Sequence, residues 1–252
     1  MVPPTKELMI AQLTPQQIAS TVKSLETNSS EKVEIFYPSS DGEPLAETQQ
    51  HILAILMALA LLRLYLQDQQ AVVFADQFFY YIEGNSKAKV APDVMVIFNI
   101  PKQLYASYKL WEGKQTPAII IEVTSASTKE VDWSFKKNLY EQIGVTEYWL
   151  FDPYDEWIEG QLRGYRLNED GVYKIIKDNC SEVLQLRLQP EEYLIGFYRL
   201  DNGEKLLTPE ELYAAVLQEK AKANAEKARA EMEKGRADRL EAKLRELGID
   251  SF

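Results

Sequence analysis

Histidine and cysteine are almost missing from this sequence, which has one of each, His51 and Cys180, in 252 residues. A lone cysteine cannot close an internal disulfide, and a single His with a single Cys cannot furnish a structural zinc site. Basic residues are in deficit too: 28 Lys and Arg stand against 39 Asp and Glu, a net charge of -11. The chain as a whole therefore lacks the electropositive footprint of a tight, non-specific nucleic-acid binder, and any such contact must be local. Long hydrophobic runs are absent as well. The one stretch that approaches a membrane segment, Ile52 to Leu62, is eleven residues long before Arg63 interrupts it, against the about 20 that a bilayer-spanning helix needs. It reads as a buried core helix, and no membrane association is expected. The opening MVPPTKELMIAQLTPQQ has no basic start followed by an apolar run, so it is not a secretion signal and a cytoplasmic location is expected. Neither G-x-G-x-x-G nor a Walker lysine loop occurs, which leaves nucleotide cofactors unsupported.

What is present is a composition of 46% hydrophobic and 27% charged residues, enough for one generous globular domain and an appendage. Residues 1–30 are polar and proline-containing without a sustained period, and read as a loose N-terminal arm. A domain is expected over 31–207. Its first helix runs from Glu47 to about Leu66, with polar residues gathered in its first turn. Segments rich in β-branched and aromatic residues follow at 71–75, 77–82, 94–98 and 118–123 and read as strands. VMVIF and AIIIEV are nearly continuous apolar runs, the mark of central strands covered on both faces. A second helix is expected over about Lys129 to Ile143, closed by Gly144, before the buried strand EYWLFDP. That strand, helix, strand order argues for a parallel step inside a mixed sheet. Residues 164–200 read as a β-rich cap on the same domain. From 208 to 252 the chain is dominated by Ala, Glu, Lys and Arg, with nine basic and ten acidic residues. This tail reads as a long solvated helix, with coiled-coil pairing weakly specified by Leu240, Leu244 and Leu247.

The sharpest constellation is Asp93, Glu122 and Lys136. Asp93 precedes the VMVIF strand and Glu122 closes the AIII strand, so two carboxylates can meet at one edge of adjacent buried strands. Paired acids there bind a cation or share a proton, and magnesium with retained waters is the natural occupant. Spacing alone leaves open the plainer reading, in which Asp93 is a turn residue and Glu122 a surface acid. Against it, Glu122 alternates onto the same face as Ile120, where helix cover is expected, and a buried acid needs a partner. Asp132, Lys136 and Tyr140 recur every four residues on one helical stripe, which also fits an ordinary exposed Asp–Lys pair. At most one of Lys136 and Lys137 can point into a site. His51 reads as a core or capping residue and Cys180 as incidental. Lys87, Lys89, Lys102, Lys109 and Lys114 form either a local basic rim or ordinary solubilising charge.

APDVMVIF, PAIIIEVTSAST and DWSFKKNLYEQIGVTEYWLFDP together resemble the signature blocks of the Uma family of restriction-endonuclease-like proteins, a branch of the PD-(D/E)XK nuclease superfamily. The likeness covers roughly residues 33–200. It implies an α/β fold, a restriction-endonuclease-like mixed β-sheet flanked by helices, here with a long C-terminal helix, and Mg2+-dependent cleavage of phosphodiester bonds in DNA, with Mn2+ as a substitute. Carried over by residue, Asp93 matches the PD aspartate and Glu122 the acid of the (D/E)XK element. Thr124 stands where the strand lysine is usual, and the resemblance assigns that role to Lys136 on the following helix. Glu47 resembles, more loosely, an extra metal-binding acid on the first helix. The alternative is a catalytically weak nuclease fold kept as a binding or adaptor module, acting through the helical tail, which could also pair two copies into a homodimer.

Overall fold

The computed structural model describes residues 35–42, 48–125 and 128–247. The expected arm at 1–30 and the candidate ligand Glu47 lie outside them. A six-stranded sheet forms the centre, in the order β1-β4-β6-β7-β8-β9. Its strands are β1 (Ala71–Phe74), β4 (Val94–Phe98), β6 (Ile119–Val123), β7 (Glu147–Phe151), β8 (Leu162–Leu167) and β9 (Tyr173–Ile176). Every pairing is antiparallel except β6 with β7, where Glu122 registers with Leu150. All five residues of β6 and of β7 are buried, as the unbroken apolar runs require of strands covered on both faces.

One cover is α1 (Gln49–Tyr65), capped by the Thr48 side chain, which accepts from the His51 amide. Its Ala54, Leu61 and Leu62 pack with Val94, Ile119, Ile121, Val123 and Trp149. The same core takes in Leu188, Ile195 and Phe197 from a separate three-stranded sheet, β10 (Cys180–Ser181), β11 (Leu186–Glu191) and β12 (Leu194–Arg199). The 164–200 region therefore divides: β8 and β9 extend the central sheet, and only the later strands form the expected cap. On the opposite face Met95, Ile97, Ile120, Tyr140, Tyr148 and Leu150 form a second core.

The QFFYYI segment departs from the expected long strand. Only Phe79–Tyr80 (β2) is strand, in a small sheet between β3 (Lys89–Val90) and β5 (Tyr108–Lys109), ahead of the short helix α2 (Leu110–Gly113). Lys89 and Lys109 both register with Tyr80 there.

The helix between β6 and β7 has an unexpected start. Val131–Lys136 is π-helical and only Lys137–Ile143 (α3) is α-helical, closed by Gly144 at φ 87°, a left-handed conformation that glycine adopts without steric cost. The Tyr148 hydroxyl of β7 donates to the Asp132 backbone carbonyl at 2.9 Å, and a side chain entering the helical ladder is a recognised cause of such widening. Finally α4 (Pro209–Glu246) follows a Thr208–Glu211 capping box and buries none of its 38 residues. No helix among the described residues is long and apolar enough to cross a membrane.

Candidate active site

Antiparallel pairing of β4 with β6 sets Val94 opposite Ile121, so the residue before β4 meets the acid near the end of β6. Two crossed hydrogen bonds fix them. The Val123 amide donates to Asp93 Oδ2 at 2.6 Å, and the Asp93 amide donates to Glu122 Oε2 at 3.3 Å. Alternation along β6 sends Glu122 to the face of Ile120, where the helical crossover covers it completely.

The crossover brings three further groups. Lys136 Nζ lies 2.9 Å from Glu122 Oε2 and 2.8 Å from Asp132 Oδ1, and the Tyr140 hydroxyl donates to Glu122 Oε1 at 2.8 Å. The four-residue stripe thus faces inward: Asp132 is buried and serves Lys136, and is not an exposed surface partner. Lys137 turns away, its ammonium 4.9 Å from the Tyr165 ring centroid. From the other face of the sheet, His51 Nε2 approaches Asp93 Oδ2 to 3.8 Å and is itself buried.

Burial dominates the electrostatics. It pushes the Glu122 carboxyl up to about 8; the Lys136 ammonium pulls it down, and the nearby Asp93 and Asp132 carboxylates push it up again. For Lys136, burial alone would lower the pKa, but Glu122, Asp132 and Asp93 outweigh it and hold the ammonium above the usual lysine value. Tyr140 and Tyr148 are raised well above ordinary tyrosine, first by burial and then by the Glu122 charge. Both hydroxyls therefore act as hydrogen-bond donors.

The donor set suits a hard cation. Asp93 and Glu122 present oxygen only, and the crowd of carboxylates around a fully buried Glu122 is relieved by added positive charge. Among the described residues no group of three or more His, Cys, Asp or Glu side chains is placed to hold a metal. Two carboxylates, completed by water and substrate phosphate, are nonetheless the ordinary complement for Mg2+.

Residue pattern pointed to Asp93, Glu122 and Lys136, and the fold brings these three together. It did not point to His51 beside Asp93, or to Tyr140 and Asp132 as direct partners of Glu122 and Lys136. The four-residue spacing of Asp132, Lys136 and Tyr140 was the available signal; for His51 there was none. Cys180 lies at the start of β10, far in the chain from these groups and half-buried.

The family model described as "Putative restriction endonuclease", Uma2, matches residues 20–195. Among solved structures, the chain is similar to a "putative nuclease belonging to DUF820" from Anabaena variabilis ATCC 29413, at 14% identity and a TM-score of 0.43, over 67% of this chain and 86% of that one. No curated protein matches it.

Proposed function

This chain belongs to the Uma2 family, described as "Putative restriction endonuclease", and on that premise we propose that it is a metal-dependent nuclease that hydrolyses phosphodiester bonds of DNA. The observation that carries the reading is the Asp93–Glu122 carboxylate pair with the Lys136 ammonium 2.9 Å from Glu122. Asp93 and Glu122 are the residues that would hold Mg2+, or Mn2+ in its place, with Glu47 as a third candidate. A divalent ion bound there neutralises charge on a phosphate oxygen and lowers the pKa of a bound water.

The chain's own groups do the rest. Tyr140 ties down Glu122 Oε1 and leaves Oε2 toward Asp93 and Lys136. Asp132 anchors the ammonium from its other side, so Lys136 enters the reaction already charged and oriented. From that position it directs the attacking water or offsets the negative charge that builds on the phosphoryl group in the transition state. Lys136 in this way replaces the strand-borne lysine whose place Thr124 occupies.

The test is cleavage of plasmid and single-stranded DNA with Mg2+ or Mn2+ by wild type, Asp93→Ala, Glu122→Gln and Lys136→Ala. Each variant is expected to lose roughly 100- to 1,000-fold, the usual cost of one electrostatic stabiliser. Equal activity in all four preparations would assign the cleavage to another site or to a contaminant. The alternative, a binding or adaptor module, draws support from α4, a 38-residue helix without a buried residue. It predicts DNA or protein binding with no metal-dependent cleavage in any preparation.

A further inference from the structure

A second feature occupies the same end of the sheet as the carboxylates. Beyond the carboxyl ends of the parallel strands β6 and β7, a cleft of about 320 Å³ is lined by Lys129, Glu130, Trp133, Glu156 and Trp157. Trp133 stands in the π-helical turn between Asp132 and Lys136, and Trp157 in the loop after β7. That loop is built firmly. The buried Asp152 carboxylate accepts the backbone amides of Trp157 at 2.5 Å and Ile158 at 3.0 Å. The Tyr154 hydroxyl bonds the Thr48 side chain at the start of α1.

Each indole carries a cation. Lys129 Nζ lies 3.6 Å from the Trp157 ring centroid, and the Arg163 guanidinium lies 5.3 Å from that of Trp133. The Trp157 Nε1–H is buried and has no hydrogen-bond partner among the described residues. Glu130 and Glu156 are exposed at the rim.

We propose that this cleft is a nucleobase subsite that receives one unpaired base of the strand being cut. The inference rests on the nuclease reading and adds to it a single-stranded character at the site. Two indoles offer stacking surface, which every base can use. The rim carboxylates repel a phosphate but accept hydrogen bonds from an exocyclic amine, so the uncharged base enters the cleft. Lys129 and Arg163 remain for the flanking phosphates. Cytosine supplies such an exocyclic amine, whereas thymine has none.

The experiment measures binding without turnover, by fluorescence anisotropy of labelled oligo(dC), oligo(dT) and a blunt duplex on the full chain in EDTA. Wild type is expected to favour oligo(dC) over oligo(dT). Trp157→Ala should weaken oligo(dC) binding by about 5- to 100-fold, the usual effect of losing one base stack, and leave the duplex unchanged. Trp157→Phe should fall between the two, since it keeps a smaller stacking ring, and it carries the test if Trp157→Ala fails to fold. Wild-type failure to bind oligo(dC), unchanged oligo(dC) binding in the variants, or an equal loss on single strand and duplex would overturn the subsite. The two claims fail separately. Binding through Trp157 with no cleavage contradicts the hydrolase alone, and cleavage with Trp157→Ala binding unchanged contradicts the subsite alone.

Discussion

Replacing Lys136 by methionine keeps most of the aliphatic stem and removes the charge that two buried carboxylates share. Its ammonium sits 2.9 Å from Glu122 and 2.8 Å from Asp132, whose side chains are 0% and 2% exposed. Deleting one partner of a buried ion pair typically costs about 3–5 kcal/mol, because the other charge is left unpaired out of water. Here the cost depends on pH. Glu122, already held up to about 8 by burial, loses the attraction that lowered it and rises further. Up to about pH 8 Glu122 stays protonated in both folded proteins and the difference between them is constant; above it the wild-type carboxyl ionises against the ammonium while that of the variant stays protonated, so the variant alone goes on losing stability as pH rises. Urea unfolding followed by circular dichroism should therefore show Lys136→Met destabilised by about 3–5 kcal/mol at the alkaline end and by less at the acid end. In a thermal melt this corresponds to about 6–20 °C for a domain of this size. Adding Glu122→Gln should restore part of the loss, since contacting residues couple by about 0.5–3 kcal/mol. A loss below about 1 kcal/mol, one that ignores pH, or strict additivity in the double variant would refute the buried network.

Four other outcomes follow from the structure. Tyr140→Phe removes the hydrogen bond to Glu122 Oε1; a loss of about 1–3 kcal/mol in stability is expected, with cleavage reduced but not abolished, checked by unfolding and plasmid relaxation. In metal-free protein, Glu122 raised from 4.5 to about 8 means the folded state holds a proton that the unfolded state has released between those values. Stability is then full below about pH 4.5 and falls as pH rises through about 8, while the raised Lys136 contribution stays constant below its usual 10.5. The melting temperature should decline over that window in wild type and flatten in Glu122→Gln. Arg166→Met removes the cation from Glu147, a fully buried carboxylate that accepts from Arg166 Nε at 2.9 Å and keeps its bonds from Trp149 Nε1 and the Glu182 amide; it should cost about 3–5 kcal/mol in denaturant unfolding, with no selective effect on Mg2+ dependence. Truncation after Thr208 removes a helix with no buried residue, so the melting temperature should move by only about 2–4 °C, while light scattering should show loss of any self-association.

The legible parts of the fold were those in which sequence and tertiary demand agree. β4, β6 and β7 could be read because strands buried on both faces leave no room for polar residues, and the helix end at Gly144 could be read because helix ends have local chemistry. The π-helical turn could not, since the contact that accompanies it is the hydroxyl of Tyr148, sixteen residues away, donating to the Asp132 carbonyl. QFFYYI has the composition of a longer strand, but pairing reaches only its two central residues. In the site, alternation was enough to bury Glu122, whereas the inward orientation of Asp132 depends on how the crossover lies on the sheet. His51 joins Asp93 only because the start of α1 sits at the same sheet end as the start of β4, a tertiary fact with no trace in local spacing.

A titration with Mn2+, followed by electron paramagnetic resonance in the presence of an oligonucleotide, tests the carboxylate pair most directly. Wild type should take up Mn2+ in a saturable, Mg2+-competed manner, and Asp93→Ala and Glu122→Gln should each abolish that uptake without altering the fold. Uptake that persists unchanged in both variants, or none in wild type, would contradict a cation site between these two strands.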